Sequence, residues 1–268
     1  MTDLLSHVFM QRALLAAVLT SIVCGIIGSY IVVRQMTAMS GGISHATFGG
    51  VGLGYLFGFS PLAGAAGFAV ASALVIGVLK DYANQKIDTL IGTIWAIGMA
   101  LGILFVALTP GYIPDIESYL FGNILLVTKT DLIAASILAA VIVVVVLLLY
   151  HPLMAVTFDE EYATVMNLPV RALNLLLLVL IAFTVVMLIQ VVGSILVIAL
   201  LTLPAASCRM LTSRLSVMMA GSVATAMIVS FGGILLSAFW NLPSGATITL
   251  LAAGVYLLAI CGKNAVRI

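Results

Sequence analysis

Met36 to Gly58 reads MTAMSGGISHATFGGVGLGYLFG, an apolar, glycine-laden stretch with one histidine, His45, and no Asp, Glu, Lys or Arg. Gly42, Ala46, Gly50, Gly54 and Gly58 recur every four residues. On a helix they align as one small-residue stripe that lets neighbouring helices approach the backbone. His45 lies off that stripe, and its neighbours at helical spacing are Gly41, Gly49 and Gly52. An imidazole beside three positions without side chains predicts room for something to pass or bind. The plainer reading is a packing helix whose histidine is satisfied by a neighbour's carbonyl.

The surrounding composition fixes the medium. Hydrophobic residues make up 64% of the 268 positions and charged residues only 7%, with a mean hydropathy of +1.33. Water-soluble domains carry roughly a quarter charged residues, so this chain is a multispanning membrane protein. A span takes about 20 apolar residues, and the apolar runs consume nearly the whole chain, which is expected to form a single domain over residues 1–268. A net charge of +1 gives no basic surface for nucleic acid. The beginning, MTDLLSHVFMQR, lacks a positive n-region and a cleavage site, so the first apolar run is expected to be retained as a span. Cys24, Cys208 and Cys261 are far apart with no metal spacing, which argues against a disulfide framework or zinc knuckle.

Nine candidate spans follow, near residues 9–33, 38–58, 62–79, 90–108, 132–150, 171–191, 193–208, 216–239 and 245–262, eight of them if a glycine- or proline-rich one is broken. Alternate loops divide the basic residues eight to two: Arg34, Lys80, Lys86, Arg171, Arg209, Arg214, Lys263 and Arg267 against Arg12 and Lys129. The positive-inside rule then places the N-terminus outside and the C-terminus in the cytoplasm. Pro204, inside the seventh run, is expected to kink or break its helix.

Two connections exceed turn length. The outside one contains TPGYIPDIESYLFGN from Thr109, where Asp115 and Glu117 give an acidic edge suited to docking. The inside one, His151 to Arg171, reads HPLMAVTFDEEYATVMNLPVR. Thr157 and Glu160 have capping-box spacing, Asp159 to Glu161 fill a first turn, and Asn167 and Pro169 end it, which predicts a short helix over 157–167. Phe158, Tyr162, Val165 and Met166 form its apolar face. Three consecutive acids would be repelled by an anionic leaflet, so the face is expected to meet a protein.

Three stretches in this order, SGGISHATFGG at Ser40, FDEEYATVMNLPV at Phe158 and VVGSILVIALLTLPAASCR at Val191 with the later NLPSGATI, resemble the permease subunits of zinc/manganese/iron ABC importers. DTLIGTIWAIGMALGIL from Asp88 and ESYLFGN from Glu117 fit as well, so the resemblance spans the chain. It implies an all-α polytopic bundle of the vitamin-B12-importer type, a homodimeric pore in the cytoplasmic (inner) membrane, a separate ATPase and an extracytoplasmic metal-binding protein. Phe158, Asp159, Glu160, Tyr162, Met166 and Asn167 would form the coupling segment to the ATPase, and Asp115 and Glu117 the docking edge. The chain has no GxxxxGK[ST] motif, so it is expected not to be an enzyme itself. His45 is expected to ligate the passing divalent metal, with Ser44, Thr47 and Ser40 as weak oxygens and Met39 as a soft sulfur. Two departures stand out. Many family members carry an acid four residues before the histidine where this chain has Gly41, and a glycine where it has Asn167. Asparagine tolerates the left-handed conformation that such a turn needs.

Rival readings are weaker on the residues. An ion-coupled secondary transporter needs carboxylates at mid-membrane, and every Asp and Glu falls in or beside a loop. Ser44 and His45 are adjacent and point about 100° apart, which is wrong for a hydrolase pair. A permease for a metal chelate or vitamin-type substrate is the closer alternative.

Overall fold

The computed structural model describes residues 8–82, 87–110, 124 and 127–266. Among them are eleven helices: α1 Val8–Val33, α2 Thr37–Phe57, α3 Pro61–Tyr82, α4 Ile87–Leu108, α5 Lys129–Leu148, α6 Tyr150–Phe158, α7 Glu160–Val165, α8 Val170–Val192, α9 Ser194–Leu211, α10 Leu215–Trp240 and α11 Ser244–Val266. Each of the nine expected spans is one of the long helices. Seven of these are long and apolar enough to cross a membrane. The two others are α9, whose apolar part is short, and α2. Serine, threonine, glycine and His45 make α2 less apolar than the rest, yet it is walled in by protein: every residue from Met39 to Gly52 is buried except His45. A helix enclosed by helices needs no lipid-facing apolar surface, and small side chains let its neighbours close on it.

The glycines set that approach. A Cβ on Gly50 would lie 2.1 Å from the Gly64 carbonyl oxygen, and one on Gly64 would lie 2.1 Å from that of Gly50, so α2 and α3 touch backbone to backbone. On the other side, a Cβ on Gly98 of α4 would meet the Ala46 Cα at 2.5 Å, and one on Gly52 would meet the Gly102 carbonyl oxygen at 2.6 Å. The expected open space beside Gly49 and Gly52 is therefore absent, because α4 and the Phe68 ring occupy it. Small residues on a helix lower the barrier to close packing, and in a bundle that packing takes the volume first. Around this unit α1 lies against α9 and α10, α8 against α3, and α11 against α9 and α10.

Helix ends use left-handed residues at Gln35, Gly58, Asn167 and Asn241 (φ 56°, 72°, 57° and 52°). After each, the next N–H returns into the finished helix, as Met36 does to the Ile31 carbonyl at 2.9 Å and Leu168 to that of Ala163 at 3.0 Å. Asn167 thus makes the turn expected of it. The short helix expected over 157–167 is built differently from expectation. Asp159, not Thr157, caps it: an Asp159 carboxylate oxygen accepts the Tyr162 N–H at 2.9 Å, whereas Thr157 Oγ1 donates back to the Leu153 carbonyl at 2.6 Å. Thr157 and Phe158 end the separate α6, which leaves α7 only six residues. Pro152 sits in the first turn of α6, where its missing N–H is tolerated, and this helps explain why α5 stops at Leu148. Pro204 does not break α9, which is helical from Ser194 to Leu211.

Gly98→Ala places a methyl against backbone that cannot yield, so it should destabilise the purified protein by about 1–3 kcal/mol, the scale of overpacking. Gly92→Ala on the same helix meets nothing within 4 Å and should be neutral or slightly stabilising. Thermal unfolding in detergent compares the two; equal midpoints would show that the α2–α4 seam is not tight.

Candidate functional site

His45 is the one residue between Met39 and Gly52 that reaches the surface of the protomer. Its imidazole lies flat on the Trp95 indole of α4, with ring centroids 4.5 Å apart and planes 4° from parallel. The seam that brings Gly98 onto Ala46 places Trp95, three residues earlier, beside His45. His45 Nδ1 is buried without a hydrogen-bond partner among the described residues, and so is Oγ of the adjacent Ser44. A buried polar atom left unpaired costs about 1–3 kcal/mol. Two in succession, on the least apolar of the long helices, mark a place prepared for a polar guest rather than for packing.

The other ligand candidates do not gather around the imidazole. Met39 is fully buried in the main apolar core. Thr47 is fully buried and donates to the Ser44 carbonyl at 2.6 Å, and Ser40 to that of Thr37 at 2.8 Å. Thr47 lies two residues from His45, about 200° round the helix, so the two side chains leave α2 on opposite sides. No group of three or more His, Cys, Asp or Glu able to hold a metal ion occurs among the described residues. One protomer presents a single imidazole, with Trp95 as its neighbour. Sequence spacing could not find Trp95, since it sits on another helix and is not ionisable.

The segment from Phe158 to Asn167 has the expected two faces. Phe158, Tyr162, Val165 and Met166 are exposed, Val165 at 79%, whereas Ala163 on the opposite side is fully buried. Asp159 caps α7, Glu160 lies in its first turn, and Asn167 turns the chain into α8. Glu160 also does something the sequence did not indicate. Its carboxylate accepts from the Arg34 guanidinium and, at 3.1 Å, from the Asn174 amide, while Arg34 donates to Asn174 Oδ1 at 2.6 Å. The Arg34 side chain is only 9% exposed. Burial pushes its guanidinium down from the ordinary value, and the Glu160 carboxylate acts in the opposite direction. This triad ties α7 to the junction between α1 and α2 and to the first turns of α8. Asp115 and Glu117 lie outside the described residues. Asp131, at the far end of their connection, closes a capping box with Thr128 and accepts from Gln190 Nε2 at 2.7 Å, so it fastens α5 to α8.

The same architecture occurs in known proteins. The complex titled PsaBC from Streptococcus pneumoniae with a Fab contains a chain that superposes with a TM-score of 0.86 at 33% identity, covering 96% of this chain and 93% of that one. A manganese transport system membrane protein MntC from Halalkalibacterium halodurans is 37% identical over 257 residues, 96% of this chain and 88% of its own length. An uncharacterized membrane protein of Synechocystis sp. is 46% identical over 264 residues, 98% of this chain and 94% of its own. A family model described as ABC 3 transport family matches residues 6–263, nearly the whole length. The chain is a membrane protein, and it belongs to the ABC 3 transport family.

Proposed function

We propose that the whole chain is one permease domain of an ABC importer for a divalent transition-metal ion, with manganese, zinc and iron as the candidates. Manganese comes first because a full-length relative is named for its transport. Two copies would enclose the path, a separate ATPase would drive it, and an extracytoplasmic metal-binding protein would feed it. The N-terminus would face outside and the C-terminus the cytoplasm, as the eight-to-two division of basic residues favours.

One observation carries the reading: the single residue between Met39 and Gly52 of α2 that reaches the protomer surface is a histidine, whose own Nδ1 and the adjacent Ser44 Oγ are buried without partners among the described residues. An imidazole facing lipid is costly, whereas one facing a path between two copies is in place to meet cargo. Around Trp95 the exposed positions of α4 are Gly92, Thr93, Ala96 and Ile97, three of them small or polar. Imidazole suits first-row divalent ions, and one imidazole per protomer holds them loosely enough for release. His45→Ala and His45→Gln are therefore expected to abolish metal uptake, or change which metal is taken up, in vesicles containing the complex, while assembly and ATP hydrolysis persist. Wild-type uptake of every metal by both variants would falsify the assignment.

The exposed face of α6 and α7 would receive the ATPase. Its apolar residues are unpartnered, and the Glu160–Arg34–Asn174 triad gives it a rigid connection to the start of α2. Replacing Tyr162 and Met166 together by glutamate should release the ATPase in pull-down or let it hydrolyse ATP without uptake. Intact binding with intact coupling would place the contact elsewhere.

Asp115 and Glu117 would steer the metal-binding protein, acting on encounter rate more than affinity. Reversing both charges should slow delivery most at low ionic strength, where screening is least. A deficit that is the same at all salt concentrations would remove the electrostatic role.

A further inference from the structure

Trp95 has no role in the reading so far, and its geometry is specific. Aromatic pairs settle into stacked or edge-to-face arrangements, stacked ones offset and at centroid distances from about 4.5 Å; this indole and the His45 imidazole take the stacked form, parallel to 4° at 4.5 Å. The pairing is not a by-product of loose packing, because the same two helices meet backbone to backbone at Gly98 and Ala46 within the next turn. The indole is 42% exposed, on a part of the protomer surface where His45 also emerges. Nothing among the described residues hydrogen-bonds His45 Nδ1, so no second polar group fixes the ring, as a carbonyl or carboxylate does for most metal-binding histidines. The ring is held by the face of Trp95 instead.

We propose that Trp95 is a positioning residue for metal capture by His45, an inference that rests on His45 being the ligand. The indole holds the imidazole in one plane, so that a ring nitrogen is presented toward the open side of the seam. Coordination draws electron density from the imidazole and leaves the ring partly positive. The electron-rich indole face stabilises that state more than the metal-free ring, as it does other cations stacked on it. Trp95 therefore raises the affinity of a site with a single imidazole per protomer, and does so without adding a ligand atom.

The test uses the permease–ATPase complex in vesicles, with Mn²⁺ uptake as the readout and KM separated from kcat. Trp95→Leu, which keeps apolar bulk but has no π face, should raise KM about threefold to tenfold, the range expected from stacking and cation–π contributions, with kcat within about twofold. Trp95→Phe should recover most of the loss. In a Trp240→Phe background Trp95 is the permease's sole tryptophan, since the chain has two. Incorporating fluorinated tryptophan there weakens the indole face without changing its shape, and KM should rise with the number of fluorines. The same labelling of Trp95→Phe, as control, should change nothing. The fluorinated series also decides the matter if Trp95→Leu fails to assemble. A KM indifferent to both Trp95→Leu and fluorination overturns the role of Trp95, whereas His45→Ala in parallel tests the ligand itself. If His45→Ala raises KM and the Trp95 changes do not, only the Trp95 proposal falls. If His45→Ala leaves uptake unaltered, the ligand reading fails and Trp95 falls with it.

Discussion

Backbone contact between α2 and its two neighbours is the constraint on which the rest of the molecule depends. With glycine at 50 and 64 facing each other, and glycine at 98 against Ala46, three helices share one narrow seam that no larger side chain would permit. In a bilayer the lipid tails are as apolar as leucine, so packing contacts and polar satisfaction, rather than water exclusion, hold helices together. That seam buries a helix too polar to stand against lipid on its own. It also leaves His45 as the one side chain between Met39 and Gly52 with a route out.

The end of the bundle around Arg34 follows from the same helix. Arg34 precedes α2 by one turn residue and one connecting residue, and it is nine-tenths buried with Glu160 and Asn174 as partners. A buried charge tolerates little displacement once its partners are fixed, since separating the pair leaves the guanidinium uncompensated. A displacement of α7 would therefore disturb the Arg34 contacts just before the helix that carries His45. Asp131 and Gln190 do comparable work at the other end, holding α5 to α8. Each tie joins charged side chains that the span count assigns to loops, Arg34 and Glu160 in one and Asp131 in the other, to an amide inside the expected span 171–191, Asn174 or Gln190.

Much of this was legible in the sequence, and the exceptions share a cause. The positions of the nine long helices follow from apolar length, and the left-handed Asn167 from the chemistry of a residue that tolerates positive φ. The exposed apolar face from Phe158 to Met166 follows from spacing within a short segment. What failed, or was not visible, depended on which helix lies next to which. Gly49 and Gly52 read as open space because the sequence does not say that α4 fills it. Thr157 had the right spacing for a cap, but α6 extends through it, and its hydroxyl goes to the Leu153 carbonyl. Trp95 is fifty residues from His45 in the sequence, and Arg34 is farther still from Glu160 and Asn174. Such pairings are set by tertiary packing, on which local periodicity is silent.

Pulsed electron paramagnetic resonance of Mn²⁺ trapped in the intact complex during turnover reads the metal's ligands directly. Only His7, His45 and His151 are available in this chain, and among the described residues His45 alone lies within a long helix. The account predicts a nitrogen coupling characteristic of imidazole that disappears in His45→Gln. A spectrum with oxygen ligands alone, or a nitrogen coupling that survives that substitution, would contradict it.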